Sequence, residues 1–121
     1  MKIKINSRKK IAAIQAEFNA LFPYLKLEFF SRPHSASEGS AKRFLEPATK
    51  TLGEFKTFHN VKKEITITPA MTVKELEYNF RNVFGLSAQV FRKSGKVWLE
   101  TTVTDGWTLE EQNHQGEALS K

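Results

Sequence analysis

Ile65-Thr66-Ile67-Thr68-Pro69-Ala70-Met71-Thr72-Val73-Lys74-Glu75-Leu76-Glu77-Tyr78-Asn79-Phe80-Arg81-Asn82-Val83-Phe84-Gly85 is the stretch on which the fold turns. It opens with apolar residues at alternate positions, the period of a strand with one buried face. After Pro69 the period changes: Val73, Leu76, Phe80, Val83 and Phe84 fall on one stripe of a helix. Thr72 is spaced to cap that helix, with Glu75 three residues on completing a capping box and Met71 and Leu76 spaced as a hydrophobic staple. Gly85 follows where a left-handed residue ends a helix.

Residues 3–22 repeat this pattern at an offset of 62. Ile3 and Ile5 fall on Ile65 and Ile67, Ile11 on Val73 and Ile14 on Leu76. Phe18 falls on Phe80, Leu21 on Val83, Phe22 on Phe84, and the stop residue Pro23 on Gly85. The first helix is expected to start from Ser7. A second alternating strand follows each helix, with Leu25 and Leu27 matching Ala88 and Val90 after a one-residue slip. Strand, helix, strand, long connection, strand, helix, strand is the order of a ferredoxin-like α+β sandwich, a split βαβ plait with both helices on one side. A β-grasp is the alternative.

An extra strand ending near Val103 extends this order. Ser94-Gly95 reads as a two-residue hairpin turn, which sets Lys93 opposite Lys96, Phe91 opposite Trp98 and Val90 opposite Leu99. Ala88, Val90, Val97 and Leu99 then share the helix-side face. Thr108 and Glu111 give a further capping-box spacing, predicting a short terminal helix pinned by Trp107 and Leu109, with a frayed tail from His114. The 121 residues suit a single domain, divided into a first unit (2–30), a connection (31–63), a second unit (64–93), and an extra strand and helix (96–113).

The connection has two parts. Residues 31–40 have the small polar composition of a loop, while Phe44, Leu45, Leu52, Phe55 and Phe58 are apolar enough to dock. Thr51-Leu52-Gly53-Glu54 has a weak capping-box spacing.

Cysteine is absent, which removes disulfides and thiolate metal sites. No run approaches the length of a membrane span or a secretory signal, so a cytoplasmic protein without membrane partners is expected. The net charge of +6 is uneven: residues 1–63 hold 13 Lys/Arg against 5 Asp/Glu, and residues 64–121 hold 6 against 8. Such an imbalance either attracts an anionic partner or solubilises exposed strands.

The sheet face pointing away from the helices carries the sharpest functional signal. Alternation places Lys2, Lys4, Lys26, Phe30, Thr66, Gln89, Phe91, Lys93, Lys96 and Trp98 there. Aromatics among lysines on an open sheet stack bases while neutralising phosphates. A nucleic-acid interface would therefore use Lys2, Lys4, Arg8, Lys9, Lys10, Phe30, Phe91, Lys93, Lys96 and Trp98. Arg8, Lys9 and Lys10 would lie in the first turn of the first helix, where the dipole disfavours cations and backbone amides favour anions. Two other readings stay open for the aromatics: burial under the connection or the Trp107 segment, or burial against another protein, a second copy included. A small-ligand site beneath residues 31–45 is a further alternative.

Catalysis has no such support. His34, His59 and His114 lie in expected loops or tail, with no partner at metal-ligand spacing. Asp105 is explained by its turn. A Ser35/Ser37/Ser40–His34 pairing would sit on a loop that cannot hold the geometry. No metal or cofactor is expected. The RNA-recognition-motif family shares the expected plait, but its aromatic octapeptide is missing from Glu64-Ile65-Thr66-Ile67-Thr68, so that likeness is architectural only.

Four segments carry a wider resemblance: Phe22-Pro23-Tyr24-Leu25-Lys26-Leu27-Glu28-Phe29-Phe30, Thr51-Leu52-Gly53-Glu54, Val90-Phe91-Arg92-Lys93-Ser94-Gly95 and Trp107-Thr108-Leu109-Glu110-Glu111-Gln112-Asn113. Through them the chain resembles a family of small conserved bacterial proteins of unknown function. The resemblance spans most of the chain and implies one unit over its whole length; it assigns no site residue.

Overall fold

The computed structural model describes residues 2–30, 51 and 64–120. These form an α+β fold of five strands and three helices: β1 (Ile3–Asn6), α1 (Ile11–Leu21), β2 (Leu25–Phe30), β3 (Glu64–Ile67), α2 (Val73–Phe84), β4 (Ser87–Ser94), β5 (Val97–Glu100) and α3 (Leu109–Leu119). The strands form two antiparallel sheets, β1–β3 and β2–β4–β5.

This pairing departs from the single plait expected of the sequence. A ferredoxin-like sheet needs β1 beside β3, and that pair is present, with Ile3 opposite Ile67 and Ile5 opposite Ile65. It would also place β2 beside β3 and β4 beside β1. Instead β2 and β4 pair with each other, Leu25 opposite Arg92 and Leu27 opposite Val90. Alternation specifies which face of a strand is buried and leaves its neighbour open. The burial pattern of β4 marks the difference: Ser87, Ala88, Gln89 and Val90 are consecutively buried, as a strand covered on both faces requires.

One core joins the two sheets. Ile3, Ile5, Ile65 and Ile67 meet Leu25, Leu27, Phe29, Ala88 and Val90, and the helices close it with Ile11, Ile14, Phe18, Val73, Leu76 and Phe80. Phe29 and Phe80 meet edge to face at 4.9 Å, the geometry that suits the quadrupoles of two rings.

Helix α2 starts as its sequence requires. The Thr72 hydroxyl accepts from the Glu75 N–H at 3.1 Å, and the Glu75 carboxylate accepts from the Thr72 N–H at 2.9 Å. Those contacts from Thr72, backbone first and hydroxyl second, hold the Glu75 carboxyl below its usual range. Gly85 ends the helix at φ 64°. Helix α1 differs. Ser7 lies in a turn, and the N-cap is Lys10, extended and without a side-chain cap. Arg8 and Lys9 therefore precede the helix, where Asn6 Oδ1 accepts from the Arg8 N–H.

The β4–β5 hairpin is displaced by two residues from the expected register. Gly95, at φ 63°, is the first central turn residue and Lys96 the second, the place that a type II′ turn gives to glycine. Lys93 therefore faces Trp98, Arg92 faces Leu99 and Ser94 faces Val97. A two-residue slide keeps every side chain on its expected face, but it carries Val97 and Leu99 past the core. They are 54% and 44% exposed, where burial was expected. The strand also stops at Glu100, short of Val103.

Helix α3 is longer than its sequence suggests and continues past His114, which lies within it. It is held by polar contacts and a close approach. Asn113 Oδ1 accepts from the Tyr24 N–H at 2.8 Å, and Arg92 Nη1 donates to Gln112 Oε1 at 2.9 Å. Gly116 lies so near β2 that a Cβ there would stand 2.8 Å from the Tyr24 Cβ.

Candidate nucleic-acid interface

The outer face of the β2–β4–β5 sheet brings together part of the expected cluster. Lys26 faces Phe91 across β2 and β4, and Lys93 faces Trp98 across β4 and β5. The Lys26 ammonium stands 5.3 Å from the ring centres of both Phe91 and Trp98, within cation–π reach of each. Phe91, Lys93 and Trp98 are half-buried and Lys96 is exposed in the turn. Glu100 lies opposite Phe91 on the same face, so the cluster is basic without being uniformly so.

Phe30 does not belong to it. It is buried, although its position in the alternation shares a face with Lys26. The outward end of β2 is covered beside Ser87 and Gln89, also buried, and an open aromatic platform extends no further than Phe91.

The remaining expected residues lie on the other sheet or beside it. Lys2, Lys4, Arg8 and Lys10 are exposed, with Lys4 opposite Thr66 on the outer side of β1–β3. Lys9 is engaged: its ammonium bonds both oxygens of Glu17, at 2.6 and 2.7 Å. Its charge is thereby partly offset by a neighbouring carboxylate. Residues 31–45, the roof of the small-ligand alternative, lie outside the described residues, as do the expected docking of the connection, Leu52-Gly53-Glu54, His34 and His59.

A second polar group, unmarked in the sequence, lies beneath the end of β5. The Val90 C=O accepts from the Thr101 N–H and hydroxyl and from Gln89 Nε2. The Glu77 carboxyl lies near the Val90 backbone N–H, which favours its charged form. The Glu77 Oε2 atom is buried without a partner. Burial is the main reason that the Glu77 pKa rises from 4.5 to about 7; the Val90 N–H and Arg81 oppose the rise, and Asp105 and Glu100 add to it. The segment after β5 then crosses the start of α2, where Val73 and Lys74 donate to the carbonyls of Trp107 and Asp105 at 3.1 and 2.8 Å. That helix terminus is thereby closed to other anions. Glu77 falls one turn after Val73 on the edge of the apolar stripe of α2, and that spacing is the signal in the sequence for its partial burial.

Among the described residues no group of three or more His, Asp or Glu side chains is placed to hold a metal ion, and no helix is long and apolar enough to cross a membrane. What the fold and site define is an α+β domain with a lysine–aromatic cluster on an antiparallel sheet. Comparison with family models, with curated proteins and with solved structures finds no match to the chain.

Proposed function

We propose that this chain is a non-enzymatic nucleic-acid-binding module whose contact surface is the outer face of β2–β4–β5. The observation that carries the reading is the placement of Lys26 over Phe91 and Trp98 together. Half-buried rings offer a flat face to an unstacked base, and the neighbouring ammonium groups of Lys26, Lys93 and Lys96 meet the phosphates on either side. Stacking of this kind tolerates any base, which fits a surface with few groups that could read base edges. The exposed Lys2, Lys4, Arg8 and Lys10 extend the positive field toward the same polyanion.

The reading does not depend on a complete ferredoxin-like plait, since three strands supply every residue that it uses. The internal repeat belongs to the same proposal. Lys4 pairs with Thr66, its equivalent at the offset of 62, and Leu27 pairs with its equivalent Val90. Two copies of one unit related by a local two-fold axis would produce both pairings.

Fluorescence anisotropy with a labelled mixed-sequence single-stranded oligonucleotide tests the function. Binding at low ionic strength that weakens steeply with added salt is the expected result. Trp98→Ala should weaken it by about 5- to 150-fold, the equivalent of about 1–3 kcal/mol for one stacked base. Absence of binding at low salt, or full affinity in Trp98→Ala, would refute the assignment.

A further inference from the structure

Residues 101–107, between β5 and α3, turn back onto α2 rather than continuing as a strand. The Thr101 N–H and hydroxyl donate to the Val90 C=O at 3.2 and 2.9 Å. The segment closes on itself where Thr104 and Trp107 donate to the carbonyls of Thr101 and Thr104. Its other bonds are to helices. The Trp107 and Asp105 carbonyls accept from Val73 and Lys74, and Gln112 Nε2 donates to the Thr104 C=O and hydroxyl at 2.7 and 2.8 Å. Its two large apolar side chains stand outside the core, Val103 at 97% exposure and Trp107 at 39%. A unit tied mainly by polar contacts can open without unfolding the core.

Glu77 lies where this segment meets α2 and β4. Its carboxyl is near the Val90 N–H, and Asp105 of the segment, Glu100 of β5 and Arg81 one turn further along α2 are close enough to act on its charge. Among the described residues, Glu77 Oε2 and Thr102 Oγ1 are buried without a hydrogen-bond partner, so the junction is incompletely satisfied on both sides. Ionisation of Glu77 would set three carboxylates near one guanidinium and hold the new charge partly out of water. Both effects are relieved when the segment lifts.

We propose that residues 101–107 form a latch on α2 that is held shut while Glu77 carries a proton and opens as a local unit when Glu77 ionises. The proposal goes beyond the nucleic-acid reading and stands without it. Burial, the largest influence, raises the Glu77 carboxyl from 4.5 to about 7 in the closed form, and opening returns it to water. The closed form therefore holds the extra proton. Closure is complete below about pH 4.5 and weakens as the pH rises through about 7. That interval sets a ceiling of about 300-fold on the growth of the open fraction. Partial exposure of Glu77 lowers the expectation to about 30-fold.

Amide hydrogen exchange of the full chain, read by NMR from about pH 5 to about pH 8.5 with intrinsic rates divided out, tests the latch. The Val73, Lys74 and Thr101 N–H groups, each bonded between the segment and its supports, should lose about 30-fold of protection together. They should also exchange about tenfold or more faster than the amides of the β2–β4 ladder, because local opening spares the core. In Glu77→Gln their protection should not depend on pH. Asp105→Asn keeps the backbone acceptor and removes one repelling charge, so it should move the change to lower pH. Protection that ignores pH in the unmodified chain, an equal fall in Glu77→Gln, a midpoint unmoved by Asp105→Asn, or exchange no faster than that of the ladder would overturn the proposal, whether or not oligonucleotides bind.

Discussion

Replacing Glu77 with Gln separates the buried carboxyl from the rest of the titration. The Glu77 side chain is half-buried with its Oε2 atom unpartnered; an amide of the same shape can fill that place, but only the carboxyl can acquire a charge. Its pKa of about 7 in the folded protein exceeds that in the unfolded chain, so the folded state holds the extra proton between the two values. Stability from this group is complete below about pH 4.5 and is lost as the pH rises through about 7. The interval from 4.5 to about 7 sets a ceiling of about 3 kcal/mol on the loss. Partial solvent access to Glu77 lowers the expectation to about 2 kcal/mol. Urea unfolding across this range, performed on both proteins, isolates the effect as a difference. The parent should lose about 2 kcal/mol relative to Glu77→Gln, or about 1 M in urea midpoint. Parallel pH profiles would show that Glu77 is solvated like an ordinary carboxylate, and the description of its site would be wrong.

Other expectations concern packing and caps. Lys10→Ser supplies the missing N-cap of α1 at a residue already extended at φ −78° and ψ 150°. It should raise stability by about 0.5–1 kcal/mol in urea unfolding, and no gain would show that the helix starts elsewhere. Thr72→Ala should cost about 1 kcal/mol by the same measurement. Gly116→Ala gains helix propensity of about 1 kcal/mol but drives a methyl against Tyr24, for a net loss of about 1–2 kcal/mol; a rise in melting temperature would refute the close approach. Phe80→Ala removes the ring packed on Phe29 and should cost about 3–5 kcal/mol.

The elements most legible in the sequence were those with local causes. Helix α2 carries its cap, stripe and glycine stop within a few turns of chain, and each is present in the structure. The apolar faces of β1 to β4 follow from alternation alone. Strand partnership was not legible, because β2 pairs with β4 across 57 to 67 residues of sequence and no local pattern encodes that choice. The hairpin register failed by two residues because Ser94-Gly95 and Gly95-Lys96 both satisfy a two-residue turn. Helix α3 was read too short for a different reason. It buries Gln112 and Gly116, so its contact face shows no hydrophobic period. At the candidate interface, alternation correctly put Lys26, Phe91, Lys93 and Trp98 on one face. It also put Phe30 there, since a period of two cannot show that one end of a face is covered.

The two tryptophans of the chain allow a direct test of the aromatic surface. Trp98 belongs to the proposed stacking site, and Trp107 lies elsewhere, beside Arg92. Two-dimensional NMR of the indole N–H groups during titration with a single-stranded oligonucleotide, assigned with Trp98→Phe, reads both residues in one sample. The Trp98 signal should shift and broaden while that of Trp107 holds its position. Movement of Trp107 alone, or of neither resonance, would contradict the account.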